Sequence, residues 1–159
     1  MSAPRSRSRG GGRRSVGRLH AVILAGGAGE RFWPASRAKR PKPFLAVDGR
    51  QTLIQATYQR ARRCAGAERV WVVCAPEHAR AIRAETGLPA RRVLVEPSRR
   101  NTARAIGLVA HRIAAEEPDA VLAVLPADHR IPDGRAFVGA IRNAAAAARS
   151  ADVLVTLGI

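Results

Sequence analysis

Cysteine, lysine, acidic residues and aromatics are all scarce in this chain, and each shortage removes a class of explanation. The two cysteines, Cys64 and Cys74, show no metal-binding or redox spacing, and one pair cannot build a disulfide framework. Both read as ordinary reduced thiols of a cytoplasmic protein. The longest apolar runs, such as residues 121–125 and 144–148, fall far short of the ~20 residues that a membrane span needs, so no membrane partner is expected. Arg13-Arg14 ahead of an apolar stretch imitates a twin-arginine export signal. The run from Ala21 to Ala25 meets Gly26-Gly27 before it fills a signal core, however, and serves better as a buried strand.

Only 12 acidic residues oppose 28 basic ones, which leaves a formal net charge of +16. Six of those charges are Arg5, Arg7, Arg9, Arg13, Arg14 and Arg18, in a Gly/Ser/Arg-rich leader over residues 1–18 that has no acidic residue and reads as disordered. Lysine is confined to Lys39 and Lys42, and alanine is abundant, a bias that genomic base composition can produce. Aromatics make up 4% of the chain, so the stacking platforms of nucleic-acid binders are missing. No specific nucleic acid is expected as a partner, and an acidic substrate explains part of the remaining charge. A basic nucleic-acid-binding protein acting through the leader is the alternative from a different class.

What is present is a pattern of short β-branched runs alternating with helix-period segments. At 159 residues and 47% hydrophobic content the chain can bury one real core. Strands are expected over residues 19–24, 70–74, 93–95, 121–125 and 153–157. Helices are expected over 52–63, 76–84, 101–115 (Ala103, Ile106, Val109, Ala110 and Ile113 inward) and 134–148 (Phe137, Ile141 and Ala144 inward). This alternation signifies βαβ units in an α/β domain over residues 19–159, with a mostly parallel sheet and flanking helices. After the last strand no helix closes the layer before Ile159, so the domain is expected to be incomplete at its C-terminus.

The strongest chemical signal is Leu24-Ala25-Gly26-Gly27-Ala28-Gly29-Glu30-Arg31-Phe32-Trp33-Pro34, directly after the first strand. Glycines at 26, 27 and 29 let backbone N–H groups approach an anion, and Arg31 adds a cationic fork for phosphate oxygens. The loop has neither a P-loop ending nor dinucleotide Gly-x-Gly-x-x-Gly spacing, which counts against an ATPase and a dehydrogenase. A second basic element follows, Lys39-Arg40-Pro41-Lys42-Pro43-Phe44-Leu45, whose prolines hold the backbone extended around Lys42. Glu96-Pro97-Ser98-Arg99-Arg100-Asn101-Thr102-Ala103 follows the third strand and Leu125-Pro126-Ala127-Asp128-His129 follows the fourth. Both belong to carboxyl ends of strands, where open α/β sheets place ligands. Asn101 or Thr102 also suits a helix cap, and Asp128 also suits a turn. Trp33 and Phe32 read as packing residues, and His129 as a hydrogen-bonding residue outside any metal site.

The glycine loop, Arg31 and the Pro-Lys-Pro segment together resemble the signature of the sugar-nucleotidyltransferase superfamily. The Glu96 and Pro126 elements resemble the Glu-Pro-x-x-Arg-Asn-Thr-Ala and Pro-Ala-Asp-His elements of mannose-1-phosphate guanylyltransferases, and residues 31–37 look like that family's version of the loop. The departures are Arg104 for proline, Pro43 for glutamine and Ala35 for leucine. The resemblance implies a Rossmann-like fold of the nucleotide-diphospho-sugar transferase type. It also implies transfer of GMP from GTP to mannose 1-phosphate, another sugar 1-phosphate being the close alternative. It makes Arg31 and Lys42 the catalytic candidates. Leu24, Ala25, Gly26, Gly27, Gly29, Arg31, Lys42, Asn101 and Thr102 become the nucleotide-binding candidates, and Asp128 the ligand of Mg²⁺. The family's sugar-recognition segments and a second metal-binding carboxylate fall beyond Ile159, so the 159-residue chain alone is expected to be inactive. A homo-oligomer is left open.

Overall fold

A computed structural model describes residues 18–26, 42–46, 49–96 and 102–158. Its strands are β1 (Leu19–Ala25), β2 (Val70–Cys74), β3 (Val93–Val95) and β4 (Val121–Pro126), and its α-helices are α1 (Leu53–Ala65), α2 (Ala79–Thr86), α3 (Thr102–Ala114) and α4 (Gly134–Ala151). The strands form one sheet in the order β3-β2-β1-β4, and every pairing is parallel. The expected α/β architecture is therefore the observed one. From β1 the chain builds outward through β2 to β3, then returns to lay β4 on the opposite side of β1. That reversal opens a crevice between the carboxyl ends of β1 and β4.

Side chains alternate across the sheet and divide the core into two layers. Ala21, Ile23 and Ala25 of β1 join Val70, Val72 and Cys74 of β2 against Ile54, Tyr58 and Ala61 of α1, Ile82 of α2 and Ile141 of α4. On the other face Val22, Trp71 and Val73 pack against Ala105, Val109 and Ile113 of α3. Helices cover both faces, which is why β1 and β2 read as almost unbroken apolar runs.

Local chemistry sets the helix ends. Thr52 caps α1: its hydroxyl accepts from the Gln55 N–H at 3.3 Å, and the Gln55 side chain returns the bond to the Thr52 N–H at 3.0 Å. Asp133 caps α4 by accepting from the N–H groups of Arg135 and Ala136, both at 2.9 Å. Gly87 closes α2 at φ 70°, a left-handed conformation that costs glycine little.

Some expected elements differ from those observed. The helix over 76–84 is divided into a 3-10 turn, Pro76–His78, and α2, because the proline opens a tight first turn before regular helix bonding begins. In α3 Ala103 is exposed, and the buried stripe is Ala105, Val109 and Ile113, at four-residue spacing. The strand over 153–157 does not form. Leu154 is fully exposed and Val153, Val155 and Leu157 are also exposed. Strand-forming side chains do not make a strand without a partner ladder, and among the described residues β4 pairs only with β1.

Candidate functional site

The carboxyl ends of β1, β3 and β4 converge through main-chain bonds. The Ala127 N–H donates to the Leu24 carbonyl at 3.0 Å, which ties the segment after β4 to the end of β1. The Glu96 N–H donates to the Cys74 carbonyl at 2.9 Å and extends β3 along β2. Gly26, Glu96 and Asp128 are thereby brought to one end of the sheet, next to the crevice beside β1.

Lys42 enters the same place from a 3-10 turn, Lys42–Phe44. Pro43 is buried, Phe44 packs on the core and meets the His78 ring edge-on at 5.7 Å, and the Leu45 N–H donates to the Lys42 carbonyl at 3.0 Å. Proline in place of the family's glutamine therefore contributes apolar burial to this turn. With its backbone held, Lys42 Nζ donates to Asp128 Oδ2 at 2.8 Å. Lys42 is largely buried and Asp128 partly exposed. The pair is a charge-assisted bond at the sheet's switch point.

A residue with no role assigned from the sequence braces the Asp128 loop. Arg60 of α1 is buried, and its Nη2 donates to Thr57 Oγ1 at 2.7 Å and to the His129 carbonyl at 2.9 Å. Burial holds this guanidinium below its ordinary value, a penalty that the two hydrogen bonds partly repay. A second such residue is Glu96. Its Oε1 is buried without a hydrogen-bond partner among the described residues, and a Cβ at Gly26 would stand 3.6 Å from its Oε2. An unpaired buried carboxylate oxygen is costly; the other oxygen, Oε2, is the one beside the backbone at the end of β1. The available signal was its position as the first residue beyond β3.

Of the expected nucleotide-binding residues, Leu24, Ala25 and Gly26 are at the end of β1, with the Leu24 side chain packed in the apolar layer under α3. Ala25 is buried. Thr102 is the exposed first residue of α3. Gly27, Gly29, Arg31 and Asn101 lie outside the described residues, so the expected anion nest and cationic fork do too. The expected metal ligand, Asp128, has one oxygen on Lys42, while its Oδ1 lies 3.9 Å from His129 Nε2. Among the described residues no three His, Cys, Asp or Glu side chains cluster to hold a metal. No helix among the described residues is long and apolar enough to cross a membrane.

The chain is similar to known proteins over most of its length. The chain is 40% identical over 137 residues to the alginate biosynthesis protein AlgA of Pseudomonas aeruginosa, covering 84% of this chain and 28% of that protein. It is 42% identical over 144 residues to the mannose-1-phosphate guanylyltransferase RfbM of Salmonella typhimurium, covering 87% and 29%. It therefore spans less than a third of the length of these relatives. The crystal structure of mannose-1-phosphate geranyltransferase from Thermus thermophilus matches with a TM-score of 0.72 and 36% identity, over 82% of this chain and 38% of that one. The nucleotidyl transferase family model matches residues 20–159, nearly the whole chain, and the chain belongs to that family.

Proposed function

We propose that this chain forms the nucleotide-binding part of a mannose-1-phosphate guanylyltransferase, which transfers GMP from GTP to mannose 1-phosphate and releases pyrophosphate. The observation that carries the reading is the Lys42–Asp128 pair at the switch point. A cation and a carboxylate in contact there provide a group for phosphate oxygens and a group for the metal that accompanies them.

In this reading the Gly26 to Gly29 backbone, Arg31 and Lys42 hold the triphosphate. Lys42 leaves Asp128 for a phosphate oxygen when the nucleotide arrives. Asp128 would hold Mg²⁺, which would supply charge neutralisation on the phosphates. A sugar-phosphate oxygen displaces pyrophosphate at the α-phosphorus in line, so positioning and electrostatics suffice and no covalent protein nucleophile is needed. Arg60 acts through the His129 carbonyl as a positioning residue for Asp128. Leu24 and Ala25 act by placing Gly26, and Asn101 and Thr102 border the base.

Glu96 supports guanine over other bases. Guanine presents two adjacent donors, N1–H and the N2 amino group, to which a carboxylate is complementary; the corresponding edge of adenine has an acceptor at N1. The test is calorimetric titration of the chain with GTP, ATP and UTP, each with Mg²⁺. GTP is expected to bind at least about tenfold more tightly, a difference of ~1.4 kcal/mol. Equal affinities would remove the guanine assignment.

A further inference from the structure

Lys42 is carried on a turn whose far end is fastened to the start of α1. The Leu53 N–H donates to the Leu45 carbonyl at 3.0 Å, and Ala46 and Thr52 form an antiparallel bridge. The direction in which the turn presents Lys42 therefore depends on where the first turn of α1 is held.

Helix α2 holds it with one face. His78, just before α2, meets the Phe44 ring edge-on at 5.7 Å. Glu85, in the last turn of α2, accepts from the Thr52 hydroxyl through Oε2 at 3.0 Å. His78, Ile82 and Glu85 follow one another at four- and three-residue spacing, which places them on the same side of the helix. Ile82, between the two contacts, is completely buried in the core and anchors that side.

The Thr52 hydroxyl has one proton to donate, and Glu85 takes it. The same oxygen accepts from the Gln55 N–H, one of the donors that the start of a helix leaves without an internal partner. Glu85 thus fixes the hydroxyl that caps α1, and with it the end of the helix to which Leu45 and Ala46 are joined. Both Thr52 and Glu85 are half-buried.

We infer that Glu85 is a positioning residue for Lys42, acting through Thr52 on the turn that presents the lysine to a nucleotide phosphate. The inference rests on the phosphate role proposed above for Lys42. A misplacement of ~1 Å near a reacting centre can cost on the order of 100-fold in rate, so a brace on the turn matters even though it never touches the ligand. Two other roles for Glu85 predict different behaviour. A purely electrostatic carboxylate would repel a polyanion, and its removal would tighten binding. A carboxylate that only joined α2 to α1 would weaken binding whether or not Lys42 were present.

The test is a double-mutant cycle read by calorimetric titration with GTP·Mg²⁺, with a thermal melt on each sample. Glu85→Ala is expected to weaken binding about fivefold although it removes a negative charge. Glu85→Gln keeps an acceptor oxygen for the Thr52 hydroxyl and is expected to bind within about twofold of the wild type. In a Lys42→Ala background, Glu85→Ala is expected to change affinity by less than about twofold, because the group it positions is gone. If Glu85→Ala fails to fold, His78→Ala, which removes the other contact of α2 with the turn, goes through the same cycle with the same expectation. Undiminished affinity in Glu85→Ala, an equal loss in Glu85→Gln, or the full loss repeated in the Lys42→Ala background would overturn the inference and leave the phosphate role of Lys42 standing. Lys42→Ala without any effect on affinity would strike the phosphate role itself, and the inference with it.

Discussion

Lys42 Nζ and Asp128 Oδ2 meet at 2.8 Å across 86 residues of sequence. The contact exists because β4 returns to the side of β1 away from β2. Lys42 is largely buried but Asp128 is partly exposed, so solvent still screens the pair, its contribution to folding is ~1 kcal/mol or less, and its importance belongs to binding. Lys42→Ala is expected to weaken GTP·Mg²⁺ binding at least about tenfold while the melting temperature moves little. Titration calorimetry and a thermal melt on the same sample separate the two effects. A large fall in melting temperature with unchanged affinity would mean that the pair serves the fold instead.

Glu96→Gln tests base recognition. The amide keeps the volume but replaces one acceptor oxygen by a donor, which opposes a guanine donor edge and loses the charge assistance. GTP affinity is expected to fall about tenfold, with ATP affinity unchanged or improved. Competition binding with the two nucleotides reads this directly, and an equal fall for both would place Glu96 on the phosphate or ribose side.

Arg60→Met should keep the apolar stem inside α1 and remove both hydrogen bonds, including the one to the His129 carbonyl. Because Arg60 acts through the Asp128 loop, the expected effect is a loss of Mg²⁺ dependence in nucleotide binding that exceeds the loss of metal-free affinity. The comparison is titration with and without Mg²⁺. Equal losses would leave Arg60 with a packing role alone.

The strands β1 to β4 were legible from short β-branched runs, and the helices from their period, because both patterns record burial within one element. Lys42 and Asp128 stood out in the sequence as separate candidates, proposed for phosphate and for metal. Their contact did not, since it depends on strand order. Arg60 and Glu96 escaped for a related reason. A helix pattern does not say which arginine folds inward to a distant carbonyl, and the burial of Glu96 Oε1 without a partner among the described residues comes from tertiary packing that no local pattern records. Residues 153–157 were misread because alternation describes a willingness to pair, and no described neighbour accepts the offer.

His20 predicts an acid-sensitive fold. Burial lowers its proton affinity, Glu117 opposes this, and Arg92 and Arg69 add to it. Its folded value therefore lies below the unfolded one of 6.5, so the unfolded chain binds the proton more tightly. The stability associated with His20 is full above that unfolded value and is lost as pH falls toward the folded one. His20→Gln keeps an acceptor for the Trp71 indole, which donates to His20 Nδ1 at 3.1 Å, and removes the titration. The melting temperature of this variant is expected to fall less than that of the wild type between pH ~7 and ~5.5. Parallel pH profiles would show that His20 is not the sensing group.

The thiols give the opposite sign at high pH. Burial pushes Cys74 up to about 11, with Glu77 adding to the shift, and also raises Cys64. A folded value above the unfolded 9.0 means that the associated stability is full below 9.0 and declines as pH rises through 9.0 toward 11. At pH ~8 both thiols should stay unreacted with iodoacetamide in the native chain and react in denaturant, because the thiolate is the nucleophile and neither buried group forms it readily. Both cysteines lie in the layer between the sheet and α1, Cys74 at the end of β2 and Cys64 in the last turn of α1. Mass spectrometry of the alkylated protein counts the reacted sites. Labelling of Cys74 under native conditions would show that the carboxyl end of β2 opens locally, and the packing described beneath the nucleotide end would then have to be looser than its burial indicates.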